Sequence, residues 1–250
     1  MQGNRDLRVH FRMLLAAVSF APIASDAGAQ EWEWGAALYL WGASLGAETA
    51  SGTRAEVSFD TLLKDLNYGA MAEITADRGR WTLLGDFLYL DAGDTEDGSI
   101  DLGFGSVDAE LDVQTSALIA TLGAAYKVVQ TPTANFGVLG GLRYLGLDSE
   151  INAEVDGLKG GVSGDDSLVD GIIGFRGTAD FSDRWYFTYY ADVGTGQSEL
   201  TWQALASVNY RFERVDVSLG YRYLAWQFDD FAGFDEMDVS GPLLGIRFTF

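Results

Sequence analysis

The sequence predicts an all-β fold: a single closed antiparallel transmembrane β-barrel of about ten strands, with eight as the runner-up. Three observations carry this. Apolar residues recur at every second position over runs of about a dozen residues, the length a tilted strand needs to cross a bilayer and longer than the usual soluble strand. Short and long connections alternate along the chain. The composition combines 31 Gly and 13% aromatic residues with only 3 Pro among 250 residues, which suits many strands joined by Gly-containing turns and argues against a helical bundle or a disordered chain.

The first thirty residues read as an export signal. Arg5, Arg8 and Arg12 form a basic start, Met13 to Ile23 a short apolar run, and Ala27-Gly28-Ala29 the small-x-small pattern of a cleavage site. Residues 1–29 are therefore expected to be a removed signal peptide and 30–250 the barrel. The apolar run is too short for a membrane helix, which needs roughly 20 residues. No later stretch is apolar for long enough either, so an exported chain of this kind is periplasmic, secreted or a barrel.

The period of two is clearest near the end. Leu200, Trp202, Ala204, Ala206, Val208, Tyr210 and Phe212 alternate with Thr201, Gln203, Ser207, Asn209 and Arg211, with Leu205 as the exception. After Glu213-Arg214, Val215, Val217, Leu219, Tyr221 and Tyr223 alternate with Asp216, Ser218, Gly220 and Arg222. A connection this short makes the pair an antiparallel hairpin. Similar tight turns fall at Arg78-Gly79-Arg80, Gln130 to Thr133 and Asp180 to Arg184. Longer polar connections fall at 47–67, 92–106, 148–166 and 229–236, with a brief one near 195–198. The predicted strands are 32–46, 67–78, 80–91, 108–129, 134–148, 167–180, 184–195, 199–212, 214–227 and 238–250. Trp32, Trp34, Trp81, Trp185, Tyr210, Phe212, Trp226 and Phe228 fall near strand ends, where amphipathic rings would form interfacial girdles.

The final segment, Leu244-Gly245-Ile246-Arg247-Phe248-Thr249-Phe250, places Ile246, Phe248 and the last Phe250 on one face. This ending resembles the insertion signal of bacterial outer-membrane barrels. The resemblance implies a Gram-negative outer-membrane location and recognition by the barrel-assembly machinery. A narrower resemblance covers roughly 34–90. Tyr39-Leu40-Trp41, Phe59-Asp60-x-Leu62 leading to Leu66, Gly79-Arg80-Trp81, and Asp86 with Tyr89 resemble a group of uncharacterised proteobacterial outer-membrane proteins. It implies the fold and no activity.

With the large apolar residues toward lipid, Arg143, Arg176, Arg211, Arg222 and Arg247 should face the lumen, together with Glu73, Asp86, Asp170, Asp192 and Asp216. Arg on the lipid face near the midplane would cost about 2–4 kcal/mol, and charges of both signs in a narrow interior should pair. Two readings follow: a packed salt-bridge network, or a water-threaded narrow pore. An alternative role is surface binding by acidic outer connections. Asp91, Asp94, Glu96, Asp97 and Asp101 form a candidate cation-binding loop of the oxygen-rich kind that calcium and magnesium prefer, although the spacing departs from the twelve-residue calcium loop. Ser58 to Asn67 carries Leu62, Leu63 and Leu66 at helical spacing, with Asp60 as a candidate cap. A short helix there is expected to pack on a loop or plug the mouth.

The net charge of −21 with only Lys64, Lys127 and Lys159 as lysines makes nucleic acid a poor partner. The expected partners are outer-membrane lipid, lipopolysaccharide, the assembly machinery and divalent cations. Cysteine is absent and the one histidine, His10, lies in the predicted signal. That leaves residues 30–250 without Ser-His-Asp or Cys-His machinery or ordinary zinc sites. No cofactor and no enzymatic activity are expected.

Overall fold

The computed structural model describes residues 31–49, 52–101, 106–155 and 158–250; the predicted signal peptide lies outside them. The elements are β1 (Glu33–Trp41), β2 (Ser44–Thr49), β3 (Arg54–Val57), α1 (Phe59–Lys64), β4 (Leu66–Arg78), β5 (Trp81–Asp101), β6 (Ser106–Gln130), β7 (Ala134–Val155), β8 (Leu158–Asp180), β9 (Trp185–Gly196), β10 (Leu200–Arg211), β11 (Asp216–Phe231) and β12 (Phe234–Thr249). From β4 to β12 each strand pairs antiparallel with the next, and β1 pairs with both β4 and β12, so ten strands close into a barrel. β2 and β3 lie outside that ring. Backbone closure leaves no edge at bilayer depth, which a spanning sheet requires because lipid offers no hydrogen bonds.

β2 continues β1. Trp41 lies opposite Leu243 and Ser44 opposite Ser240, so three residues later both strands are still in step against β12. The formal break falls opposite Pro242, which has no N–H to donate, while its carbonyl accepts from Gly42 N at 2.8 Å. The ladder between β1 and β4 stops at Leu38 opposite Ala72. Beyond that point β3 pairs with β2 instead, so the first predicted strand, 32–46, divides its upper partner between two neighbours.

Glu31, Phe250 and the connections 79–80, 131–133, 181–184 and 212–215 lie at one end, which we call the turn end and which corresponds to the periplasmic side of outer-membrane barrels. At the opposite end the prediction needs correction. The segments 92–106 and 148–166, expected as polar loops, are mostly strand. β5 and β6 stay in register from Trp81–Tyr126 to Asp101–Ser106, and β7 and β8 from Ala134–Ala179 to Val155–Leu158. β6 and β7 also remain paired up to Ala109–Val155. The four strands thus form a sheet standing about 30 Å beyond the point where β4 leaves β5 at Ala92. Polar residues do not oppose strands when a neighbour supplies the ladder, and the alternation signal is lost where neither face is buried. Residues 229–236 likewise continue β11 and β12 to a two-residue turn, where Ala232 and Gly233 have φ of 52° and 81° between Phe231 and Phe234.

α1 forms where helical spacing predicted it, but none of its residues is buried, so it does not plug the mouth. Its N-cap is Ser58 and not Asp60. Asp60 sits in the first turn, and a 2.7 Å hydrogen bond from the Ser58 hydroxyl holds its carboxyl below the usual range.

The outer face of the ring is apolar: Leu38 and Leu40 on β1, Leu122 on β6, Leu142 on β7, Ile173 on β8 and Leu219 on β11 are more than half exposed, as lipid-facing residues are when the bilayer is removed. At the turn end Trp81 lies edge-on to Tyr126 with centroids 5.1 Å apart, and Trp185 to Tyr210 at 4.9 Å, forming an aromatic girdle. Trp226 and Phe228 do not join a girdle. They are 1% and 6% exposed and lie inside the barrel.

Tight coiling of the wall depends on close backbone approach at Gly141. A Cβ there would lie 2.3 Å from the Leu122 carbonyl oxygen and 2.8 Å from Gly123 Cα. Gly141→Ala is therefore expected to destabilise the refolded barrel by about 1–3 kcal/mol, read from denaturant unfolding in detergent. Gly140→Ala, whose Cβ would meet nothing nearer than 3.8 Å, should be close to neutral.

Candidate functional site: the barrel interior

Every second residue of each strand faces inward, and the interior is stacked in three layers. The middle layer is ionic. Arg143, fully buried on β7, reaches across to β9, where Nη2 donates to Asp192 Oδ2 at 2.5 Å with both side chains out of solvent. It also donates from Nη1 to Thr201 Oγ1 at 3.0 Å. Asp192 accepts a second hydrogen bond from Tyr190. Arg222 on β11 donates to Asp86 Oδ1 at 2.8 Å, Tyr39 Oη at 2.9 Å and Gln203 Oε1 at 2.8 Å, and its guanidinium lies 4.8 Å over the Trp41 ring. Gln203 also accepts from Arg143 at 3.4 Å, so one amide ties the two arginines into a single network. Asp170, also fully buried, is held differently: the backbone N and hydroxyl of Ser198 donate to it at 2.8 and 2.7 Å. The brief connection between β9 and β10 is thereby pinned to β8.

The layer on the long-strand side is apolar. On six strands the next inward residue after the ionic layer is hydrophobic: Tyr39 is followed by Trp41, Asp86 by Leu88, Thr121 by Ile119, Arg143 by Leu145, Asp170 by Leu168 and Arg222 by Leu224. With Trp226, Phe228, Phe231, Met237 and Leu243 these side chains form one buried cluster. Leu145 and Leu224 are 0% exposed. The cluster draws on β1, β5 to β8, β11 and β12.

The layer at the turn end is polar and partly open. Arg247 pairs with Glu73 and donates to Thr75 Oγ1 at 3.1 Å. Arg211 pairs with Asp180 at 2.7 Å and lies 4.3 Å over the Tyr186 ring, while Tyr186 donates to Asp216 at 2.6 Å. Lys127 pairs with Asp77 at 2.6 Å. Arg176 lines the cavity that these groups surround.

No family model matches the chain, and no curated protein is significantly similar to it. Among solved structures it is similar to the outer membrane protease OmpT of Escherichia coli, with 10% identity over 88% of this chain and 97% of that one, at a TM-score of 0.46. The translocator domain of the autotransporter NalP from Neisseria meningitidis gives 14% identity over 90% of each chain at 0.44. The attachment invasion locus protein Ail of Yersinia pestis gives 10% identity over 88% and 98% at 0.38.

Of the ten predicted lumen charges, Arg143 and Asp192 come together, as do Arg222 and Asp86, and Arg247 and Glu73. Arg211 finds Asp180 instead, Asp216 is bonded by Tyr186, Asp170 by Ser198, and Arg176 has no hydrogen-bond or ion-pair partner among the described residues. Ile246, Phe248 and Phe250 point outward, 43–64% exposed, and Phe250 exchanges backbone hydrogen bonds with Trp34 at 2.8 and 2.9 Å. In the candidate cation loop, Asp91 accepts from Asn67 Nδ2 at 3.1 Å. The backbone of 94–101 is paired strand, and the side chains of Asp94, Glu96, Asp97 and Asp101 lie outside the described residues. Among the described residues no cluster of His, Cys, Asp and Glu is placed to hold a metal ion.

Sequence reasoning gives large apolar residues to lipid and so misses the inward apolar layer. A signal existed: alternation fails at Leu88-Tyr89-Leu90 and Leu224-Ala225-Trp226, where both faces of the strand are apolar.

Proposed function

We propose that the protein is a non-conducting barrel of the Gram-negative outer membrane that holds the four-stranded sheet of β5 to β8 above the surface. The carrying observation is the buried cluster around Leu145, Leu224 and Trp226, an apolar layer directly above the ion pairs. A structural role accounts for the ion pairs as wall-to-wall ties and for a sheet kept erect by unbroken register with the barrel. The working surface is then the sheet, on which Glu150, Asp165 and Asp166 are exposed and available to solvent-borne partners such as divalent cations or lipopolysaccharide. The apolar belt contacts lipid and lipopolysaccharide chains, and the last strand is the part that assembly machinery reads. Without His or Cys beyond residue 10, no catalytic role is proposed.

Planar-bilayer recording of the refolded barrel, with folding verified by heat-sensitive gel mobility, tests this reading. Folded protein should give no discrete conductance steps. Salt-dependent unitary steps would instead mean that water threads the network and that the narrow-pore reading is correct.

A further inference from the structure

The cavity at the turn end has a volume of about 350 Å³ and runs down to the rim at Glu33 and Thr249, both exposed. Four cations line it. Lys127, Arg211 and Arg247 each have a carboxylate partner, in Asp77, Asp180 and Glu73. Arg176 has none among the described residues, and its Nη1 is shut off from solvent with no acceptor. Glu73 acts on Arg176 only through space, being engaged by Arg247. Apart from that attraction the guanidinium has no directly bonded counter-ion among the described residues, which is costly in a narrow interior. Its planar array of donors matches two oxygens of one carboxylate or phosphate group.

Two hydroxyls beside it are set to donate. Thr178 and Thr188 lie directly opposite each other on β8 and β9, and both line the cavity. Thr178 Oγ1 accepts from Asn135 Nδ2 at 2.6 Å, and Thr188 Oγ1 accepts from Asn209 Nδ2 at 2.9 Å. A hydroxyl whose oxygen is engaged by a donor still has its own proton to give. One cation and two donor hydroxyls therefore converge on a space open to the turn end.

We propose that this cavity binds a small oxyanion, a carboxylate or phosphate group on a solute that fits its volume, with Arg176 as the countercharge and Thr178 and Thr188 as orienting donors. The group enters from the turn end and stops beneath the ionic layer, so binding is distinct from transport.

The test is thermal unfolding of the refolded full barrel in detergent, in chloride at fixed ionic strength, with phosphate or acetate exchanged for chloride. Wild-type protein should show a saturable rise in midpoint, as binding to the folded state alone requires. Arg176→Gln should melt near the wild-type temperature in chloride, because no direct ion pair is lost and the lost attraction to Glu73 is offset by removal of an unbonded buried guanidinium, and should show no rise with either anion. Thr178→Val, which keeps the charge, should weaken the response about tenfold in concentration. A response to both anions would assign a general oxyanion site, and a response to phosphate alone a tetrahedral one. The proposal is overturned if the wild type shows no saturable rise, meaning that water alone fills the cavity. It is equally overturned if Arg176→Gln and Thr178→Val both respond like wild type.

Discussion

Arg143→Ala is expected to lower the unfolding free energy of the refolded barrel by about 3–5 kcal/mol, the range for leaving a buried charge without its partner. Arg143 and Asp192 are both closed off from solvent, so the substitution strands Asp192 beneath the apolar seal with only Tyr190 for support. It also removes the donors to Thr201 and Gln203, and Gln203 is the amide through which Arg143 and Arg222 are joined. The double variant Arg143→Met with Asp192→Leu should recover most of the loss, since a buried pair exchanged for apolar groups of similar volume is often neutral or stabilising. Guanidinium unfolding in detergent, followed by tryptophan fluorescence, would measure both. A single variant costing less than about 1 kcal/mol, the scale of an exposed pair, would mean that water reaches the pair and that the seal is incomplete.

Trp226→Ala should cost a similar amount, about 3–5 kcal/mol, because removing a large buried ring loses its transfer energy and leaves a cavity in the closing layer. Trp226 is 1% exposed and its indole N–H has no acceptor. Trp226→Phe should accordingly cost far less: the smaller ring leaves some space, but an unsatisfied buried donor is removed with it. Trp202 provides the contrast within the same hairpin. It stacks on Tyr223 with centroids 4.6 Å apart but is 39% exposed on the outer face, so Trp202→Ala should cost about 0.5–1.5 kcal/mol. Equal losses at Trp202 and Trp226 would show that the ring of Trp226 is not sealed from solvent.

Much of this architecture is legible in the chain because a strand alternates its side chains strictly. The β10–β11 hairpin is an example: Trp202 to Tyr210 point out and Thr201 to Arg211 point in, as the spacing alone requires. The same parity places Arg143, Arg222, Asp86 and Asp192 on the inner face, since a charge on the lipid face is too costly to retain. Ten strands, the tight turns and the short helix follow from local patterns of the same kind.

Parity, however, does not say which inward residues meet, because partners such as Arg143 and Asp192 lie on strands that are not neighbours and meet only through the register of each with β8 between them. It is also silent where both faces of a strand are apolar, as at Leu224-Ala225-Trp226, and where both are polar, as in β5 beyond Ala92. The sequence by itself determined that these strands alternate, which faces carry charge and that the sheet must close. Only the tertiary structure decided that an apolar layer crosses the lumen, that the acidic segments continue as a paired sheet and that Arg176 has no hydrogen-bond or ion-pair partner among the described residues, because each depends on which strands lie opposite one another, and a period of two carries no information about that.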